Sequence, residues 1–403
     1  MIKRKFYYAL VSIITLTMLT GCWSRTELNE LAITVALGID QSGDQFKVSA
    51  QVVNPGEVAS QKGGSGNSPV ATYTATGETV YEAIRKMTTK VPRKIYGAHL
   101  RLLVIGEELA SGKGIGKALD LLSRDPELRT DFYIVVAKET TAEQVLKILS
   151  IPLERIPANK IFQSLETSEK AWAATAGVTI DELISDLVSK GHQPLLTGIQ
   201  IFGDPKSGES TESLQRSSTE PVLTFADMAA FKQDKLIGWL NERESKGANY
   251  ITNKVHSTIV SIPCTRDGML GIEVVRSKTK VSGSVKNGVP KMNVSVQAEA
   301  NVGEVECSEV DLSKKDTIAE LESKTEEDIK RKIEAAITKA QADFKTDIFG
   351  FGEVIHREDP KYWNQYKMKW NEEFVELPVK VDVDIKIRRS GSVGNSFLKS
   401  LKE

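Results

Sequence analysis

Cysteine is scarce in this chain, with three among 403 residues, which excludes a small scaffold stapled by disulfides. Histidine is nearly as thin: His99, His192, His256 and His356 stand singly, so no zinc cluster can be read from their spacing. Net charge is missing too. The 53 basic side chains face 54 acidic ones, for a formal charge of −1, and that balance offers no basic footprint for a nucleic-acid partner. Past residue 23 no apolar run is long enough to span a bilayer. What is present is ordinary for folded protein: 40% apolar and 27% charged residues. The length suits two or three domains at roughly 100–200 residues each.

The first residues carry a strong pattern. Lys3, Arg4 and Lys5 precede a charge-free stretch over residues 6–19, followed by Thr20-Gly21-Cys22. A basic start, a short apolar core and small residues make a secretory signal peptide over residues 1–21. A spanning helix is the rival, since residues 6–23 carry no charge, eighteen residues in all, at the short limit for crossing a bilayer. The tetrad Leu19-Thr20-Gly21-Cys22 favours the first reading, because it resembles the lipobox of bacterial lipoproteins. Cleavage then falls between Gly21 and Cys22, and the Cys22 thiol is the nucleophile that takes a diacylglyceryl group, with N-acylation of the new terminus. Losing three cations leaves 50 basic against 54 acidic side chains, a mature charge of −4. Two or more acyl chains anchor firmly, whereas one chain binds only marginally. The expectation is a lipid-anchored, extracytoplasmic protein with no further spanning segment.

Along the mature chain, strands and helices alternate. Strands are expected at 31–40 and 46–53, the second from the alternation of Phe46, Val48, Ala50 and Val52. A polar Gly/Ser-rich loop covers 56–69. Helices follow at 79–87, 112–122, 141–149 and 178–188, interleaved with strands at 99–105, 132–136 and 195–202. This pattern makes residues 22–205 an α/β layered region with room for two subdomains. Residues 206–221 are polar and read as a linker. Residues 222–390 read as an α+β domain, and 391–403 as a tail. Strands are expected at 228–231, 251–262, 270–275 and 291–302. A long helix is expected at 326–344, with Thr325 as its N-cap and Gly350 ending it. In the last strand Val375, Leu377, Val379, Val381, Val383, Ile385 and Ile387 take successive odd positions. One face is then buried and one wet, as in an antiparallel sheet open on one side. Pro378 places the start of that strand at an edge or outside the ladder. The expected fold is α+β and multi-domain: N-terminal α/β layers, then a C-terminal antiparallel sheet packed on a long helix.

Catalytic motifs fail on inspection. Ser111-Gly112-Lys113-Gly114-Ile115-Gly116-Lys117-Ala118 superficially resembles a phosphate loop. The pattern needs glycine where Ser111 stands and a hydroxyl where Ala118 stands. No G-x-S-x-G elbow and no H-E-x-x-H pair occurs. No catalytic, cofactor or metal residue is assigned, and the chain is not expected to be an enzyme. Acidic pairs such as Glu326-Glu327 and Glu372-Glu373 read as solvated faces or helix-start charges. Cys264 and Cys307 either pair after export or remain separate thiols; their spacing does not decide. Residues 349–374 hold seven aromatics: Phe349, Phe351, Tyr362, Trp363, Tyr366, Trp370 and Phe374. A core sealing the long helix onto the sheet is favoured over a partner surface, where aromatics are also enriched.

Several segments resemble the C-subunit lipoproteins of bacterial spore germinant receptors. They include Gly21-Cys22-Trp23, Glu27-Leu28-Asn29-Glu30-Leu31-Ala32 and Gly38-Ile39-Asp40. They continue with His99-Leu100-Arg101-Leu102-Leu103-Val104-Ile105-Gly106-Glu107-Glu108-Leu109-Ala110 and Ser123-Arg124-Asp125-Pro126-Glu127-Leu128-Arg129. The second half adds Ala230-Phe231-Lys232-Gln233-Asp234-Lys235-Leu236-Ile237-Gly238-Trp239-Leu240 and Asp347-Ile348-Phe349-Gly350-Phe351-Gly352, then Trp363 and Trp370. Ser24 departs from the acidic residue often found after Cys-Trp, and the 56–69 loop matches nothing in the family. The resemblance implies a non-enzymatic subunit on the outer face of the inner spore membrane. It implies assembly with a membrane-spanning A subunit and a transporter-like B subunit, in a complex that senses nutrients and triggers ion and dipicolinate release. The alternative is a solute-binding lipoprotein of an ABC-type transporter, which shares the signal, the lipobox and the size. Two similar lobes around a cleft would be expected of it, and the strand-rich second half argues against that.

Overall fold

The computed structural model describes residues 4–8, 30–59, 67–149, 154–210, 222–264, 268–308 and 310–389. Gly21, Cys22 and most of the signal segment lie outside the described residues, as do 211–221 and the expected tail from 391 on.

The first sheet is built from β1 (Leu31–Ser42), β2 (Gln45–Val53), β3 (Val70–Gly77), β4 (Lys94–Tyr96), β5 (Leu102–Gly106), β6 (Tyr133–Ala137), β7 (Leu195–Phe202), β8 (Val222–Lys232) and β9 (Lys235–Leu240). Their order is β3-β2-β1-β5-β6-β7-β8-β9, with β4 pairing β1. β1, β5, β6 and β7 run parallel, and antiparallel hairpins close both sides. The parallel strands are covered on both faces, which explains the unbroken apolar run of β5, all five residues of which are buried. Leu103 and Ile105 pack on one side with Leu109, Leu119, Leu122 and Leu183. Leu102 and Val104 face the other side, against Val145, Leu146, Ile161 and Leu165. Ile161 and Leu165 belong to the helix Pro157–Ala171, absent from the sequence reading. Pro157 stands at its first turn, where a missing N–H costs nothing.

The sheet continues past the expected boundary. β8 pairs antiparallel with β7, from Leu195↔Ala230 to Phe202↔Val222. The position 205/222 therefore falls inside one sheet, and residues 222–240 are its outer hairpin.

The second sheet holds β10 (Thr258–Pro263), β11 (Met269–Lys286), β12 (Val289–Val305) and β13 (Val379–Arg389), in that order. β11 and β12 are much longer than expected and turn at Asn287-Gly288, both at positive φ, the signature of a tight hairpin. β10 to β12 are antiparallel, as expected, but β13 lies parallel to β12, with Met292 opposite Val379. A parallel neighbour needs a crossover, and the long helix supplies it. That helix runs from Lys315 to Thr338 and widens into a π-helical stretch over Lys339–Phe344. It starts ten residues before the expected cap. Thr325 sits inside it, buried, with Oγ1 donating to the Leu321 carbonyl at 2.6 Å, a bond threonine can form within a helix. Val375 closes the helix Trp370–Val375, so the strand begins only after Pro378. Within β13 Val381 and Ile385 are buried, while Lys380, Asp384, Lys386 and Arg388 are exposed. Cys264 and Cys307 form a disulfide, with Cα atoms 5.7 Å apart. It ties the end of β10 to the residues just after β12.

Candidate functional site

The family-like segments gather at contacts between elements. Asp40, near the end of β1, is buried and accepts N–H bonds from Ala142 and Glu143 at 2.8 and 2.9 Å. It thereby holds the start of the helix Ala142–Lys147. Burial lifts its pKa above the ordinary carboxylate value, against the pull of those two donors. Gly38 gives that helix its close approach, since a Cβ there would stand 3.1 Å from the Cβ of Ala142. Glu107 Oε1 accepts the indole N–H of Trp239 at 2.8 Å, tying β5's following turn to β9.

The phosphate-loop look-alike is filled by its own chain. Ile115 N–H donates to the Asp234 carbonyl at 2.8 Å, and Gly116 N–H to Asp234 Oδ2 at 3.3 Å. Gly114 has φ +85, and a Cβ on it would meet the Asp234 carboxylate at 2.5 Å. A carboxylate of the β8–β9 turn occupies the place a phosphate would need.

The densest constellation is the seam between the two regions, around Asp347. This residue is 1% exposed. Its Oδ1 accepts the N–H groups of Phe349 and Gly350, both at 3.0 Å. Its Oδ2 accepts Gly352 N–H at 2.7 Å and the Trp370 indole N–H at 2.8 Å. Four donors on one carboxylate are what a buried charge requires. Burial raises its pKa above the usual range, opposed by the Trp370 and Gly352 bonds and by His192. The turn it holds needs Gly350 at φ +77 and Gly352 against Gly191, where a Cβ would come within 2.5 Å of the Gly191 Cα. The first region answers with Gln193 N–H to the Asp347 carbonyl at 2.8 Å and Ser189 Oγ to Glu353 Oε1 at 2.7 Å. His192 Nδ1 lies 2.8 Å from Asp186 Oδ1. Burial depresses this imidazole's pKa, but the Asp186 bond and the charges of Asp186 and Asp347 outweigh it, leaving the value raised.

The aromatics of 349–374 form the core side of this seam. Trp363 and Trp370 are 4% and 1% exposed and meet edge to face at 5.6 Å. Phe351 and Phe374 are fully buried beside them. The core reading is the one the structure shows for these four. A cavity of about 260 Å³ opens beside the seam, lined by Glu182, Asp186, His192, Asn249, Lys254 and Phe349 among others. Among the described residues no group of three or more histidines, cysteines or acids is placed to hold a metal ion, and no helix is long and apolar enough to cross a membrane.

Residues 24–201 match the family described as "Spore germination protein N-terminal domain", and residues 226–391 match "Spore germination B3/ GerAC like, C-terminal". The chain is 34% identical to spore germination protein KC of Bacillus subtilis (strain 168) over 99% of both chains. It is 25% identical to spore germination protein B3 of the same organism, over 94% of this chain and 96% of that one. The crystal structure of the GerBC protein shares the fold, with a TM-score of 0.53 at 20% identity over 87% of this chain and 96% of that one. With its segment pattern, its fold and a full-length relative in agreement, the chain belongs to the spore germination B3/GerAC-like family, the C-subunit proteins of spore germinant receptors.

Proposed function

We propose that this chain is the lipid-anchored, non-enzymatic C subunit of a nutrient germinant receptor, required for the response of dormant spores to nutrients. The observation that carries this reading is the similarity to spore germination protein KC along 99% of both chains. In this reading acyl groups on Cys22 hold the protein at the outer face of the inner spore membrane. There it assembles with a membrane-spanning A subunit and a transporter-like B subunit. The seam geometry supports a structural role, because the Asp347 carboxylate is used up by bonds inside the chain. The solute-binding alternative is disfavoured by the same relatives and by two regions of different architecture.

The anchor is tested by Cys22→Ala, which should leave the precursor uncleaved and without label from radioactive palmitate. Undiminished labelling would end the assignment of Cys22. Affinity capture of the wild-type chain from detergent-solubilised spore membranes tests the receptor role. Two membrane subunits should come with it, and an ABC permease in their place would overturn the reading.

A further inference from the structure

Residues 83–106 contain six lysines and arginines and no acidic residue, in a chain whose formal net charge is −1. The segment connects the helix Val80–Lys86 to β4 and β5. Arg85, Lys86, Lys90, Arg93, Lys94 and Arg101 are all exposed. Lys86 pairs with Glu82 and Lys94 with Glu127. Arg85 instead lies over the Tyr81 ring and donates to its hydroxyl, and Lys90 donates to the Thr74 carbonyl. Among the described residues Arg85, Lys90 and Arg93 have no acidic partner within ion-pair distance. Tyr81 is itself 48% exposed, a ring with an apolar body and a polar tip beside a row of cations. An open cleft of about 380 Å³ lies here, with Tyr81, Arg85, Lys94 and Arg124 around Ile84 and Leu121. Asp125 and Glu127 also line it, whereas Lys90 and Arg93 do not.

Position gives this patch its meaning. Lys94, Ile95 and Tyr96 pair in parallel with Leu31, Ala32 and Ile33, the first residues of β1. The basic connector therefore sits where the chain arrives from its N-terminal segment. Eight residues lie between Cys22 and Leu31, a reach of at most about 30 Å. We propose that the surface formed by Arg85, Lys90 and Arg93, with Tyr81, docks on the anionic headgroups of the bilayer. The placement rests on the Cys22 anchor reading; the charge complementarity does not. Such a contact would complement the acyl chains and orient the first sheet with its basic connector toward the lipid.

The test uses residues 23–403, which carry no acyl chain yet retain every strand of both sheets. Sedimentation is measured with vesicles of phosphatidylcholine alone and of phosphatidylcholine mixed with phosphatidylglycerol. Binding should appear on the mixed vesicles only and weaken with salt. The triple variant Arg85→Gln, Lys90→Gln, Arg93→Gln should bind on the order of 100-fold more weakly, at about fivefold per cation near an anionic surface. A control triple, Lys278→Gln, Lys280→Gln, Lys286→Gln, removes three exposed cations of β11 and should bind like the wild type. Equal binding to both vesicle types, no wild-type binding, or equal loss in the two triples would each overturn the proposal. Because this protein lacks the lipid, its result stands apart from the palmitate test of Cys22.

Discussion

The surroundings of Asp347 and of Arg93 treat charge in opposite ways. At the seam a carboxylate is almost fully enclosed and meets four N–H donors, with an imidazole held close by. At the β1 end three cations are exposed and, among the described residues, none has an acid within ion-pair distance. A buried charge costs several kcal/mol unless its hydrogen bonds are completed, so the seam's polar groups are committed to holding two regions together. An exposed cation costs little and stays available. The contrast separates residues that maintain the shape from residues free to meet something else.

Trp370→Ala should break the seam most severely. It removes a large buried side chain, at a cost of about 3–5 kcal/mol, and deletes one of the four donors to Asp347. That is a large part of the stability of an ordinary domain, so thermal melting of the chain should fall sharply. An unchanged melting temperature would move these tryptophans from core to interface. His192→Gln gives a smaller effect that depends on pH. The native imidazole binds its proton more tightly than an unfolded histidine, owing to Asp186 and Asp347 and despite burial and Lys254. Its stabilisation is fully present below the unfolded pKa of about 6.5 and is lost as pH rises through the raised folded value. Melting curves across neutrality should therefore show a loss toward alkaline pH that His192→Gln flattens; a slope unchanged by the variant would remove His192 from the seam's energetics. The basic triple should have the least effect on melting, within about 0.5 kcal/mol per exposed substitution. A collapse of its stability would erase the contrast between the two regions.

Much of this architecture is legible in the residues, and the misreadings have physical causes. The odd positions of β13 announce a one-sided strand correctly because a strand's side chains alternate strictly. Its direction is not written in that alternation, which looks the same in parallel and antiparallel ladders. Val375 and Leu377 continue the pattern by coincidence: Val375 ends a helix, while Leu377 is buried in the turn that follows. Thr325 looks like a cap because threonine favours that place, yet its hydroxyl can also bond back within a helix. The helix Pro157–Ala171 buries only Pro157, Ala158, Ile161 and Leu165, and its proline resembles a break more than a start. Asn287-Gly288 was the readable signal for the long hairpin. The seam is legible only as a string of glycines and aromatics, since the Trp370 donor to the Asp347 carboxylate lies 23 residues on and Gln193, which meets its carbonyl, lies in the other region.

Because β8 lies along β7 from Leu195 to Phe202, a fragment ending at residue 205 would carry a bare apolar strand edge. Unpaired edges of that kind recruit strands from other copies. The same edge stays open in the nascent chain until the residues of β8 are available to pair with it. A shortened version for expression should therefore extend through Leu240, keeping the hairpin that shields β7, even though that hairpin belongs by sequence to the other half.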